Sequence, residues 1–109
     1  NIPFNTRIVL YGAGKVGQSY YKQICAEKLY QLKGWVDVEY QRYRKQGLDV
    51  RPVEELNTLD YDYVLIALKY PELVKQVKKN LKDSFNIDEE NILWFEPISI
   101  VDKYCIRDY

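Results

Sequence analysis

The sequence predicts a doubly wound α/β fold: a mostly parallel five-stranded sheet with helices on both faces. Two observations carry this. Short apolar runs alternate with helical or polar stretches about five times along the chain, and a glycine-rich turn joins the first such run directly to a helix. Parallel strands need crossover connections, which are usually helical, and right-handed crossovers then lead to a doubly wound sheet. With 109 residues and 47% hydrophobic content, one domain spanning 1–109 can bury a core without disulfides or metals.

The first strand is Arg7-Ile8-Val9-Leu10-Tyr11, an apolar run that ends abruptly in glycine and reads as buried on both faces. Over 15–29 the period changes: Val16, Tyr20 and Ile24 recur every four residues and mark one face of a helix. A second strand follows over 32–38, with Trp35 and Val36 inside it. The Arg- and Tyr-rich stretch 39–46 reads as a loop. A short strand over 48–51 precedes a brief helix over 52–56, where Pro52 suits the first turn. The clearest strand is Tyr63-Val64-Leu65-Ile66-Ala67-Leu68. Pro71 then opens a helix running to about 85, with Leu73, Val77 and Leu81 on its buried side. Residues 88–91 turn the chain into a last strand over 92–95, closed by Pro97. The tail 98–109 is open between a terminal helix and an extended segment. No internal repeat or low-complexity linker divides the chain.

Composition removes several function classes. Lys+Arg and Asp+Glu are 16 each, so bulk charge gives no reason to expect nucleic acid or an anionic membrane as partner. The absence of histidine counts against an imidazole base or a zinc site. Cys25 and Cys105 form no CxxC pair, so reduced thiols and a cytoplasmic setting are expected. No apolar run approaches the roughly 20 residues of a membrane span, and no signal peptide opens the chain. A first residue of Asn1 suggests a processed chain or a domain of a longer protein, which could be the cytoplasmic part of a membrane-associated one.

The chemistry-bearing signal is Gly12-Ala13-Gly14-Lys15-Val16-Gly17, a G-x-G-x-x-G pattern holding three of the five glycines. Alone the pattern is weak; after a buried strand and before a helix it has the context a Rossmann-like phosphate turn requires. The first glycine permits the tight turn, the second lets phosphate approach the backbone, and the third lets helix and strand pack closely. The helix start then offers free N–H groups and partial positive charge to a pyrophosphate. Asp37 ends the second strand about 20 residues further on, where a carboxylate can accept hydrogen bonds from an adenosine ribose. A carboxylate there repels a 2′-phosphate, which favours NAD over NADP. The cofactor-contacting set is therefore Gly12, Ala13, Gly14, Lys15, Val16, Gly17, Asp37 and Val38. Ala67, Leu68 and Lys69 belong to the same set, and Lys69 and Tyr70, just past the strongest strand, are candidates for lining the cleft. Lys15 also reads as an ordinary solvent-facing first-turn lysine. The same glycines would equally serve a tight turn that binds nothing, with Asp37 as a solvated strand-end residue.

Tyr11-Gly12-Ala13-Gly14-Lys15-Val16-Gly17, Gly34-Trp35-Val36-Asp37, Gly47-Leu48-Asp49-Val50 and the run 62–68 together resemble the small nucleotide-binding domain of bacterial polysaccharide-biosynthesis proteins. Similar domains precede nucleotide-sugar dehydratases and are appended to glycosyltransferases and sugar-modifying methyltransferases. The resemblance covers about residues 7–95 and implies a dinucleotide or nucleotide-sugar ligand. It carries over no catalytic residue: the Tyr-x-x-x-Lys pair of the dehydratases has no counterpart beyond Tyr11 and Lys15, which belong to the glycine turn. Similar domains often follow the ribose-binding Asp with Asp or Asn, whereas Val38 and Glu39 stand here.

Three functions follow as expectations. One is a non-catalytic NAD(H)- or nucleotide-sugar-binding module of a larger glycan-synthesis enzyme, in contact with the remaining domains. The second is a fragment of an NAD-dependent nucleotide-sugar oxidoreductase or dehydratase. The third is a regulatory or interaction domain that keeps the fold without the ligand. No catalytic or metal-binding set is expected within the chain, and homo-oligomerisation is left open. An S-adenosylmethionine methyltransferase is more distant, because the first strand lacks the acidic residue expected before such a loop.

Overall fold

The computed structural model describes residues 5–28 and 30–95. Four strands, β1 (Arg7–Tyr11), β2 (Gln31–Val36), β3 (Tyr63–Ile66) and β4 (Ile92–Leu93), form one all-parallel sheet in the order β2-β1-β3-β4. The central strand β1 is apolar throughout its middle, and Ile8, Val9 and Leu10 are fully buried. Alternate residues of the sheet face opposite layers, as the period of two requires. Ile8, Leu10 and Leu65 pack with Ile24 of α1 (Lys15–Glu27), whereas Val9, Val64 and Ile66 pack with Val74 and Leu81 of α3 (Pro71–Phe85). The sheet is thus covered from both sides, and its reversal of strand order falls between β1 and β3.

Among the described residues, four strands stand where five were expected. The segment 48–51 makes one parallel bridge, Val36 to Arg51, beyond the outer edge of β2. The Arg51 N–H donates to the Trp35 carbonyl at 2.8 Å, and the Asp37 N–H donates to the Arg51 carbonyl at 3.1 Å. Pro52 follows with no N–H to extend the ladder, and the chain passes into a 3-10 helix, Val53–Asn57.

The other strands are shorter than their apolar runs. Tyr11 is in register with Val36 on one side and Ile66 on the other. At Gly12 the chain turns away with φ +116°, so 37–38 and 67–68 lie past the regular ladder. Residues 94–95 likewise fall outside β4. The stretch 39–46 contains a short helix, α2 (Tyr40–Arg44), where a loop was expected. Its Tyr40 and Tyr43, three residues apart, pack on the α1 side of the core, and Arg42 pairs with Glu39 at 3.0 Å. Leu73, expected on the buried face of α3, is 46% exposed; Val74 occupies that place, with Val77, Leu81 and Phe85 continuing the stripe. Pro97, Cys105 and the tail 98–109 lie outside the described residues. No helix among the described residues is long and apolar enough to cross a membrane.

Candidate functional site

The β1–α1 turn has the shape its glycines imply. Gly12 takes a left-handed conformation that L side chains rarely adopt, and a Cβ there would lie 2.8 Å from the Ala67 carbonyl oxygen. A Cβ on Gly17 would lie 2.0 Å from the Gly12 carbonyl oxygen, so only glycine lets α1 approach the strand this closely. Gly14 differs from both. A Cβ there meets nothing nearer than the Tyr43 hydroxyl at 4.0 Å, so its surroundings are open. It is also the residue before α1, without a side-chain cap, leaving the first-turn N–H groups for a ligand or water.

The three residues 35–37 hold this turn. The Gly12 N–H donates to the Val36 carbonyl at 2.8 Å. The next peptide group is fixed at both ends: the buried Trp35 indole N–H donates to the Gly12 carbonyl at 2.7 Å, and the Ala13 N–H donates to Asp37 Oδ2 at 2.8 Å. Asp37 Oδ1 accepts the Glu39 N–H at 2.7 Å. A carboxylate has about four lone-pair positions, so each oxygen of Asp37 keeps capacity for a further donor. Tyr21 stacks on Trp35 with ring centroids 4.4 Å apart, and the Tyr21 hydroxyl is pushed above its usual range chiefly by its hydrogen bond with the Cys25 thiol. Gln18 Nε2 donates to the Ala13 carbonyl at 3.0 Å from within α1.

Across the sheet, the Ala67 N–H donates to the Tyr11 carbonyl at 2.7 Å and closes the ladder between β1 and β3. Trp94 donates its indole N–H to the Leu68 carbonyl at 2.8 Å. Beside Asp37 a cleft of about 500 Å³ runs between Val53–Asn57 and α3, lined by Tyr11, Val38, Tyr40, Glu54 and Phe85. The Tyr11 hydroxyl is pushed up by burial first, then by the charges of Asp37 and Glu54. A separate apolar hollow of about 230 Å³, lined by Tyr20, Ile24, Tyr30, Leu65 and Phe95, lies on the α1 side of the sheet.

The expected site residues therefore divide. Gly12, Ala13, Gly14, Gly17 and Asp37 are brought together. Ala67 and Leu68 stand on the adjoining turn, with Ala67 buried and Leu68 half-buried. Lys15 and Lys69 are exposed, Val38 is 73% exposed at the cleft mouth, and Val16 packs into the core behind the turn. The sequence reading assigned no role to Trp35, Trp94 or Tyr43. A signal existed for the first: Trp35 stands two residues before Asp37, hence on the same side of the strand, and a buried indole N–H needs an acceptor.

Two solved structures share this architecture. One is RSP in complex with β-NADH, at 16% identity and a TM-score of 0.57, covering 96% of this chain and 59% of that one. The other is RSP described as a Rex-family repressor, at 17% identity and a TM-score of 0.59, covering 97% of this chain and 58% of that one. This chain thus spans less than two thirds of either, and the likeness at this identity is one of fold. No curated protein matches. The model of C2185-like amino-terminal domains matches residues 4–93, and the chain belongs to that family.

Proposed function

We propose that this domain binds NAD(H) across the carboxyl edge of its sheet and serves as the nucleotide-binding part of a longer protein. The carrying observation is the open space at Gly14, set beside a carboxylate held against the same turn. In open α/β sheets ligands sit at the edge where strand order reverses, and here that edge is the Gly12 and Ala67 junction. The first turn of α1 would hold the pyrophosphate, and the spare lone pairs of Asp37 would accept the adenosine ribose hydroxyls. The cleft past Val38 would take the attached base. Asp37 also opposes a 2′-phosphate, which favours NAD(H) over NADP(H). The similar fold that holds β-NADH supports the same ligand class.

Within this domain the reading is binding without turnover; nicotinamide, when bound, supplies hydride chemistry. A polysaccharide-biosynthesis setting rests on the motif resemblance, whereas the Rex-family repressor of similar fold supports a regulatory role. The balanced charge of this chain speaks for this domain and leaves nucleic-acid binding by a longer parent as a separate question.

Calorimetric titration with NADH, NADPH and UDP-glucose tests the proposal. NADH binding in wild type, weaker NADPH binding, and no binding by Gly14→Val are expected. A well-folded wild type that binds none of the three would overturn it, and preference for UDP-glucose would move the reading to a nucleotide-sugar module.

A further inference from the structure

The two tryptophans occupy matching places on the sheet. Trp35 belongs to β2, the outer neighbour of β1, and its indole holds the carbonyl of Gly12, the first residue past β1. Trp94 directly follows β4, the outer neighbour of β3, and its indole holds the carbonyl of Leu68, two residues past β3. They act from opposite layers: Trp35 packs in the α1 side of the core, Trp94 against the α3 side. The two held segments touch, since the position of a Gly12 Cβ lies 2.8 Å from the Ala67 carbonyl oxygen and 3.5 Å from Leu68 Cδ2. Each outer strand thus fixes, through one indole N–H, one lip of the crevice between the inner strands.

We infer that Trp35 and Trp94 are paired positioning residues, each setting the lip that receives a different half of the dinucleotide. This rests on the NAD(H) reading above. Trp35 acts on the phosphate side. Its bond orients the Gly12–Ala13 peptide whose N–H meets Asp37, so it governs both the pyrophosphate turn and the ribose carboxylate. With the adenosine half on the β2 side, the nicotinamide half extends over β3, where Trp94 fixes the Leu68 lip. Neither indole needs to touch the ligand. A geometric role of this kind predicts that the two substitutions separate by ligand fragment, which a general loss of stability does not do.

The test uses ADP, which carries only the first half, and NADH, which carries both. Trp35→Phe keeps a large ring and removes the donor; affinity for ADP and NADH is expected to fall together, by about tenfold each for one lost buried hydrogen bond. Trp94→Phe is expected to weaken NADH by a similar factor and leave ADP unchanged. The wild type supplies a readout independent of folding: in ¹H–¹⁵N spectra, ADP shifts the Trp35 indole signal alone, and NADH shifts both indole signals. Equal loss of both ligands in both variants, or a Trp94 signal that follows ADP, overturns the pairing. Unchanged affinities in both variants also overturn it. A wild type that binds neither ligand overturns the NAD(H) reading itself and the pairing with it.

Discussion

The β1–α1 and β3–α3 turns are equivalent in topology and unlike in construction. Both leave an inner strand at the same edge and enter a helix with no side-chain cap. The third helical residue of α1 is Gly17, pressed on the Gly12 carbonyl; the third of α3 is Leu73, 46% exposed. The first turn is tied down by three consecutive residues, Trp35, Val36 and Asp37, and the second by Trp94 at Leu68. Of these two third residues, only Gly17 is pressed against the turn of its own strand. Open space at Gly14 beside tight packing at Gly17, and not the uncapped helix start as such, marks the β1–α1 turn as the candidate phosphate site.

The sharpest way to break this contrast is to place alanine at each third position. Gly17→Ala places its Cβ against backbone that cannot swing aside, and a loss of about 3 kcal/mol in denaturant unfolding is expected, at the upper end for overpacking. Leu73→Ala should cost about 0.5 kcal/mol or less by the same measurement, as for an exposed site. A large effect at Leu73 would restore it to the buried face that the sequence predicts for it. Gly14→Val sharpens the division inside the first turn. Its stability should fall by only about 1 kcal/mol, the scale of a poor N-cap residue, while calorimetry should show NADH binding lost.

The smallest effect belongs to the opposite end of β1. Arg7 donates to Asp62 from its side chain and its backbone N–H, and also pairs with Asp60 at 2.6 Å. The side-chain hydrogen bond is the first cause holding the Asp62 carboxyl below the usual range, followed by the backbone one. A carboxyl depressed in the folded state stabilises above its unfolded value, about pH 4, and that stability is lost as pH falls through the folded one. Thermal unfolding of wild type should show this acid decline, and Asp62→Asn should flatten it. An unchanged profile would place the acid sensitivity elsewhere.

The sequence made the turn legible because its three glycines answer to backbone geometry, which depends on local contacts. β1 and α3 were legible for a similar reason: a continuous apolar run and a proline-led helix carry their own ends. The short helix Tyr40–Arg44 was not, since its stability comes from tyrosines packing on α1-side residues distant in sequence. Nor could the sequence show that 48–51 would pair once and stop. Trp35 and Trp94 read as strand or strand-end aromatics because their partners, Gly12 and Leu68, lie on neighbouring strands' turns. The sequence placed Asp37 beside the turn but did not show that its two oxygens also accept the Ala13 and Glu39 N–H groups, a role set by where those backbone groups come to rest.

The single bridge from Arg51 to β2 has a bearing on how molecules of this domain behave in company. An outer parallel strand with free N–H and C=O groups invites pairing with a neighbouring chain. Here the Trp35 carbonyl of β2 and the Asp37 N–H just past it are already taken by Arg51. The blocking segment carries a charge at Asp49 and at Arg51 and ends in a proline. Such a segment is a poor template for further addition, which disfavours edge-to-edge pairing at this end of β2.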